Sequence, residues 1–265
     1  LVAIHPTAIV EDGARLGAGV EVGPYCIVGP EAKLGDGVRL LSHVVVANDT
    51  EIGQETVIYP FASIGQVPQD KKYRGEKSRL VIGARCQIRE CVTMNIGTMG
   101  GGMTTRVGDD GLFMASSHIA HDCQVGNSVT LANNVALAGH VTVEDYVLFG
   151  GQAAVHQHVR IGEGAMVGGL TGVERDIIPF GMVIGDRARL SGLNLRGLER
   201  RGVSRPDLQL LQSAYRMLFG TEGTFAERLQ TVLKTYSEDP RVRRIVDFIQ
   251  AESAVGICQP EFSNG

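Results

Sequence analysis

From Ile4 onward a bulky apolar residue recurs at every sixth position: Ile4, Val10, Leu16, Val22, Val28, Leu34, Leu40, Val46, Ile52, Ile58 and Ile64. The beat returns through Ile82, Ile88 and Met94, pauses again, and then runs from Val107 through Phe113, Ile119, Val125, Leu131, Leu137, Val143, Phe149, Val155, Ile161 and Val167 to Val173. An amphipathic helix would need a period of 3.6. A fixed period of six over this length instead predicts a solenoid, in which each hexapeptide supplies one short strand and one corner. Three corners close a triangular coil of eighteen residues. At the strand spacing of roughly 4.8 Å, nine or ten coils make a parallel β-helix about 45 Å long.

Four residues after each bulky position stands a compact or β-branched one, as in Ala8, Ala14, Val20, Cys26, Ala32, Val38 and Val44, and later Cys123, Val129, Val135, Val141 and Val147. Cys26, Cys86 and Cys123 all hold that fifth position, which marks them as small core residues, and none of the five cysteines forms a CxxC pair. The formal charge of −4 and near-neutral hydropathy point away from a nucleic-acid binder or a membrane span. With no signal-like leader after Leu1, the expected compartment is the cytoplasm.

Function in a solenoid is usually placed where the repeat is interrupted. Two interruptions stand out, a charged loop over 66–79 and a Gly-rich one over 100–106. After about Arg187 a helical period takes over, dividing the chain into a β-helix over 1–187 and a helical subdomain over 188–265. Ser204-Arg205-Pro206-Asp207 reads as a helix start, a second helix fits Thr224 to Tyr236, and a third begins near Asp239-Pro240. These helices are placed to cap the open end of the solenoid.

Five of the seven histidines fall between positions 118 and 158. Eighteen residues per coil stack Ala120-His121, Ala138-Gly139-His140 and His156-Gln157-His158 at one corner, so that His121, His140 and His156 line one groove. Asp122 stands beside His121 and can fix its tautomer. Two chemistries fit this cluster. A neutral imidazole can take the proton of a hydroxyl that attacks a thioester, or three imidazoles can bind zinc and activate water. A Cys123 acyl-enzyme is disfavoured by the inward position of that thiol.

The stretch Ser117-His118-Ile119-Ala120-His121-Asp122-Cys123, followed by Leu131-Ala132-Asn133-Asn134, Leu137-Ala138-Gly139-His140 and Gly150-Gly151-Gln152-Ala153-Ala154-Val155-His156-Gln157, resembles the UDP-N-acetylglucosamine O-acyltransferases of lipid A biosynthesis. His5-Pro6-Thr7-Ala8, Gln69-Asp70-Lys71-Lys72-Tyr73 and Gly197-Leu198-Glu199-Arg200-Arg201-Gly202 extend the resemblance over essentially the whole chain.

It implies a mainly β fold, a left-handed parallel β-helix with a C-terminal α-helical subdomain. The usual preference for right-handed crossovers would give the opposite hand. It further implies a homotrimer with active sites between neighbouring subunits, and transfer of an (R)-3-hydroxyacyl group from acyl carrier protein to the 3-hydroxyl of UDP-N-acetylglucosamine, without cofactor, metal or covalent intermediate. His121 is then the general base, Asp122 its orienting partner and the Gly139 N–H the oxyanion donor. Asp70, Lys72, His118, His140, His156 and Gln157 contact substrate. Asn194, Arg200 and Arg201 hold the nucleotide, and Gly169 leaves the acyl groove open to a long chain.

Departures from the family pattern at Asn95-Ile96 and Arg196 leave a 3-amino sugar acceptor as an alternative. Two rivals share the repeat: the enzyme that N-acylates UDP-3-O-acylglucosamine, and a trimeric zinc carbonic anhydrase. A solenoid that only binds a partner is the non-enzyme alternative.

Overall fold

A computed structural model describes residues 1–47 and 49–261. Its strands form three sheets of eleven, nine and eight members, here called faces A, B and C in the order the chain visits them. Every neighbouring pair is parallel except the last hairpin of face A. Ala3 pairs with Glu21 and Ile4 with Val22, an eighteen-residue step that holds from coil to coil. The step lengthens twice, where Ile58 pairs with Ile88 and Ile88 with Phe113, and shortens in the last coil, where Val167 pairs with Val183.

Both insertions lie between face B and face C: residues 67–78 join Ser63–Gln66 to Arg79–Ile82, and residues 96–103 join Thr93–Asn95 to Thr104–Val107. The expected loops at 66–79 and 100–106 overlap both, although the second begins earlier in the chain. Because the corners stack, both insertions leave from one edge of the prism, the B–C edge.

The large first-position residues and the compact fifth-position residues fill the interior, with Ile58, Ile64, Phe113, Leu131 and Phe149 wholly buried. Cys26, Cys86 and Cys123 are among them as free thiols. Burial pushes the Cys123 thiol up to about 12, which leaves it protonated and unsuited to an acyl-enzyme.

Corners demand an unusual backbone. Eighteen non-glycine residues among those described adopt φ between 54° and 68°, where only a few per cent of such residues normally lie. Each costs about 1 kcal/mol, and most are offset by a corner hydrogen bond from the N–H to the carbonyl one coil below, as in His43 to Pro24 at 3.0 Å and Tyr146 to Asn127 at 2.9 Å. The overall coil is left-handed, as in the solved structures it matches.

The expected division at residue 187 falls inside a hairpin, since Gly181–Ile184 pairs antiparallel with Arg189–Leu193 and extends face A beyond it. Four helices follow: α1 (Leu195–Arg200), α2 (Arg205–Leu218), α3 (Phe225–Thr235) and α4 (Pro240–Gln250). Ser204, Thr224 and Asp239 cap the last three with side-chain oxygens, satisfying N–H groups that a helix leaves unpaired. Apolar residues of α2, α3 and α4, among them Ala214, Leu218, Val232 and Ile245, close over Ile178 at the C-terminal end of the prism.

A buried carboxylate pins this joint. Asp176, fully buried, accepts from the Arg160 backbone N–H and from Arg160 Nε, both at 2.7 Å. The guanidinium lies 4.4 Å over the Phe248 ring of α4.

Candidate active site

Three successive coils bring their B–C corners together beneath the two insertions. The backbone stacking follows the eighteen-residue register: the His140 N–H donates to His121 O at 3.0 Å and the His158 N–H to Gly139 O at 3.3 Å. His121 therefore lies under Gly139, and Gly139 under Gln157. Asp122, His140 and His158 form the adjoining column, all three at corner φ values near 60°.

His121 and Asp122 are buried, at 6% and 4% exposure, so their interaction is little screened by water. His121 Nδ1 stands 2.8 Å from Asp122 Oδ2, which leaves Nε2 without a hydrogen-bond partner among the described residues. The carboxylate also accepts from the Thr98 N–H at 2.8 Å and the Thr98 hydroxyl at 2.6 Å. Its own N–H donates to Thr105 Oγ1 at 2.8 Å.

Gly139 packs flush against the imidazole: a Cβ there would lie 2.5 Å from His121 Cε1 and 2.6 Å from Nε2. Gly139 is buried, and its N–H has no acceptor among the described residues. Several equivalent third-position N–H groups along the C–A edge are capped by side chains from an adjacent coil, among them Ala18 by Asp36, Ala84 by Asp109 and Asn127 by Asp145. A buried, uncapped donor beside a buried imidazole is the arrangement an oxyanion site requires.

The cleft over this corner encloses about 690 Å³ and is lined by residues of the first insertion (Asp70, Lys72, Glu76), the second (Thr98) and the stacked corners (His121, His140, Gln157, His158). His140 stacks on His158 with ring centroids 4.5 Å apart and planes 6° apart, and meets His121 edge-on at 5.0 Å. Burial pushes the His140 pKa below the usual histidine range, with Asp122 pulling the other way. Burial, then the nearby His121, likewise lowers His118, whose Nδ1 sits 2.7 Å from the Thr93 hydroxyl on face B.

Other expected site residues lie elsewhere. His156 is exposed, its Nδ1 3.2 Å from Gln157 O, and does not line the cleft; His158 takes the place expected for it. The register that stacks Asp122 and His140 also predicts His158 above them, whereas Thr98 and Glu76 follow from the path of the insertions, which no repeat encodes. Gly169 is exposed on the A–B edge.

Asn194, Arg200 and Arg201 line a separate cavity of about 350 Å³ on the C–A edge, with Tyr146, Gly164 and Arg196. Asn194 caps α1 by accepting from the Gly197 N–H at 3.0 Å, while Arg201 pairs with Glu163 at 2.9 Å and lies 4.9 Å over the Tyr146 ring. Face C separates this cavity from the histidine cleft.

His121, Asp122 and His140 place one potential ligand atom each within 4.8 Å of one another. That donor set is two imidazoles and a carboxylate. The three converging imidazoles expected of the zinc reading do not form here.

A family model described as UDP-N-acetylglucosamine O-acyltransferase, domain 2, matches residues 176–258. An acyl-(acyl-carrier-protein)–UDP-N-acetylglucosamine O-acyltransferase of Agrobacterium fabrum is 46% identical over 258 residues, covering 97% of this chain and 95% of that protein. The chain belongs to the UDP-N-acetylglucosamine O-acyltransferase family. A second family member, from Paracoccus denitrificans, is 55% identical over 204 residues, 77% of each chain. Among solved members, the UDP-N-acetylglucosamine acyltransferase of Campylobacter jejuni is 38% identical and superposes with a TM-score of 0.91 over 97% of this chain and 100% of that one. No described helix of this family member is long and apolar enough to cross a membrane.

Proposed function

We propose that this chain transfers an (R)-3-hydroxyacyl group from acyl carrier protein to the 3-hydroxyl of UDP-N-acetylglucosamine, the first step of lipid A biosynthesis. The observation that carries the reading is the buried His121–Asp122 pair with the uncapped Gly139 N–H against the same imidazole. His121 Nε2 takes the proton of the sugar hydroxyl as its oxygen attacks the thioester carbon. The Gly139 N–H holds the oxyanion of the tetrahedral intermediate. The C–S bond then breaks, and the imidazolium returns the proton to the carrier thiolate, leaving an ester and a free carrier thiol.

Asp70, Lys72, His140 and Gln157 are positioned in the cleft to hold the substrates, and His118 and His156 flank it. Asn194, Arg200 and Arg201 suit a nucleotide diphosphate by the forked donors of arginine. Their cavity and the histidine cleft occupy different edges of one prism. A single substrate reaches both sets only when two copies of the chain contribute, which supports a homotrimer with a cleft between each pair of neighbours. A nucleotide sugar and a carrier protein as substrates fit a reaction in the cytoplasm.

The test is a matched assay of purified protein with UDP-N-acetylglucosamine and its 3-amino analogue, each offered a series of 3-hydroxyacyl carrier proteins. Ester formation on the first acceptor is expected. Product only on the amino analogue would replace ester by amide chemistry, and no product from any pair would overturn the reading.

A further inference from the structure

The carboxylate that orients His121 is itself held by the second insertion. Asp122 Oδ1 accepts the Thr98 N–H and Oδ2 accepts the Thr98 hydroxyl, so this one buried residue engages both oxygens. Behind it Gly101 packs so closely that a Cβ there would lie 2.0 Å from Asp122 Cγ. Thr98 opens the short 3-10 turn Met99–Gly101, and that turn is tied to the first insertion: the Met99 N–H donates to Glu76 Oε1 at 3.1 Å. Glu76 also accepts the Arg74 N–H at 2.8 Å, and these N–H donors hold its carboxyl below the usual range. The Ser78 hydroxyl, bonded to Gly97 O, joins the same two segments one step closer to the prism.

A continuous set of hydrogen bonds thus runs from the loop that carries Asp70 and Lys72, through Glu76, Met99 and Thr98, to Asp122 and His121. We infer that Thr98 and Glu76 are positioning residues of the transfer reaction: Thr98 fixes the carboxylate that aims His121, and Glu76 links the substrate loop to that fixed carboxylate. The inference rests on His121 being the base. Thr98 does not touch the reactants in this role. Without its hydroxyl, Asp122 Oδ2 keeps His121 at 2.8 Å, with His140 Nδ1 farther off at 3.9 Å, and the pair gains freedom to rotate out of alignment. In metal sites, groups that orient a ligand from one shell out change activity by about 10- to 100-fold when removed, and a loss of that order is expected for a group that orients His121 through Asp122.

The experiment compares full-length Thr98→Val, Thr98→Ser, Glu76→Ala, Glu76→Gln and His121→Ala in the acyl-transfer assay, with kcat, KM for the nucleotide sugar and thermal midpoint read for each. Val keeps the branched shape and the backbone N–H while deleting the hydroxyl. Thr98→Val is expected to lower kcat by about 10- to 100-fold with KM within about threefold, and Thr98→Ser to recover most of the loss. Glu76→Ala is expected to raise KM as well as lower kcat, and Glu76→Gln, which retains an acceptor oxygen, to recover most of both. Because the two residues act in series, Glu76→Ala added to Thr98→Val should lower kcat by less than the product of the single effects.

A Thr98→Val enzyme with kcat within about twofold of wild type, alongside an inactive His121→Ala, would overturn the positioning role and leave the base intact. Near-normal turnover by His121→Ala would instead overturn the reading on which it rests. Equal losses in the Val and Ser variants, with a lowered thermal midpoint in both, would mean a structural role only and would also overturn it.

Discussion

Substituting Gly139 by Ala isolates the fit between the imidazole and the proposed oxyanion donor. The added Cβ would lie 2.5 Å from His121 Cε1, 2.6 Å from Nε2 and 3.1 Å from Nδ1. Carbon contacts settle at about 3.5–4.0 Å, so the ring must retreat by about 1 Å. Backbone strain does not confuse the result, because Gly139 is not among the glycines with positive φ. The ring is tethered to Asp122 at 2.8 Å, so its retreat either stretches that hydrogen bond or tilts Nε2 away from the hydroxyl it serves. A misplacement of about 1 Å in a reacting group costs on the order of 100-fold in rate. Overpacking adds a stability cost of about 1–3 kcal/mol, or roughly 2–12 °C in thermal midpoint for a chain of this size. Steady-state kinetics of Gly139→Ala should therefore show kcat reduced by about 100-fold, a KM for the nucleotide sugar within about threefold, and a folded protein at assay temperature. A folded variant with kcat within about fivefold of wild type would refute the argument that this close approach sets the base.

Gly169→Met should shift donor preference toward shorter acyl chains in a competition among carrier proteins; an unchanged profile would remove Gly169 from the acyl groove. Asp176→Ala strands the Arg160 guanidinium and should cost about 3–5 kcal/mol, lowering the thermal midpoint by roughly 6–20 °C, while a shift under about 2 °C would show that the joint to α4 is held elsewhere. Burial keeps the folded-state pKa of His118 below the ordinary value of 6.5. The unfolded chain therefore binds that proton first as pH falls, so the stability contributed by neutral His118 is complete above 6.5 and is lost as pH drops below it. His118→Gln should flatten the fall in denaturant midpoint as pH drops below 6.5, and an identical slope would contradict the half-buried, neutral state.

Much of this site is legible in the sequence because the period is rigid. Once Ile119, Leu137 and Val155 are assigned to one face, His121, Gly139 and Gln157 must share a corner, and the corner hydrogen bonds obey that assignment. Helix ends are equally legible, since Ser204, Thr224 and Asp239 signal their caps through local chemistry. The hand of the coil is not written in the period, and the crossover preference points the wrong way. Left-handedness instead requires the corner residues to accept φ near 60°, which Asp122, His140 and Tyr146 do in a context no propensity announces. His156 follows a bulky first-position residue and is exposed, so within one chain the stacked corner brings Gln157 and His158 to the cleft and not His156. Thr98 escaped for a different reason: a side chain on an insertion is placed by tertiary contacts, and its neighbour Asp122 is known only once the loop is seen to fold back.

The choice of edge has a physical logic. Along the C–A edge, Asp36, Asp109 and Asp145 each reach across one coil to cap a third-position N–H, which removes the cost of leaving it unpaired. On the B–C edge the carboxylate near this position, Asp122, is instead drawn to His121 and Thr98, and Gly139 keeps its N–H free. A buried unpaired donor costs about 1–3 kcal/mol. In the proposed reaction that deficit is recovered only when an oxyanion forms beside it, so the interaction favours the transition state over the bound thioester. Both insertions leave from this same edge, and together they cover the corner that holds His121, Asp122 and Gly139. Both insertions on this edge bring Asp70, Lys72, Glu76 and Thr98 around the same cleft as His121 and His140, which in the proposed reaction sets the substrate loop beside the carboxylate that aims the base.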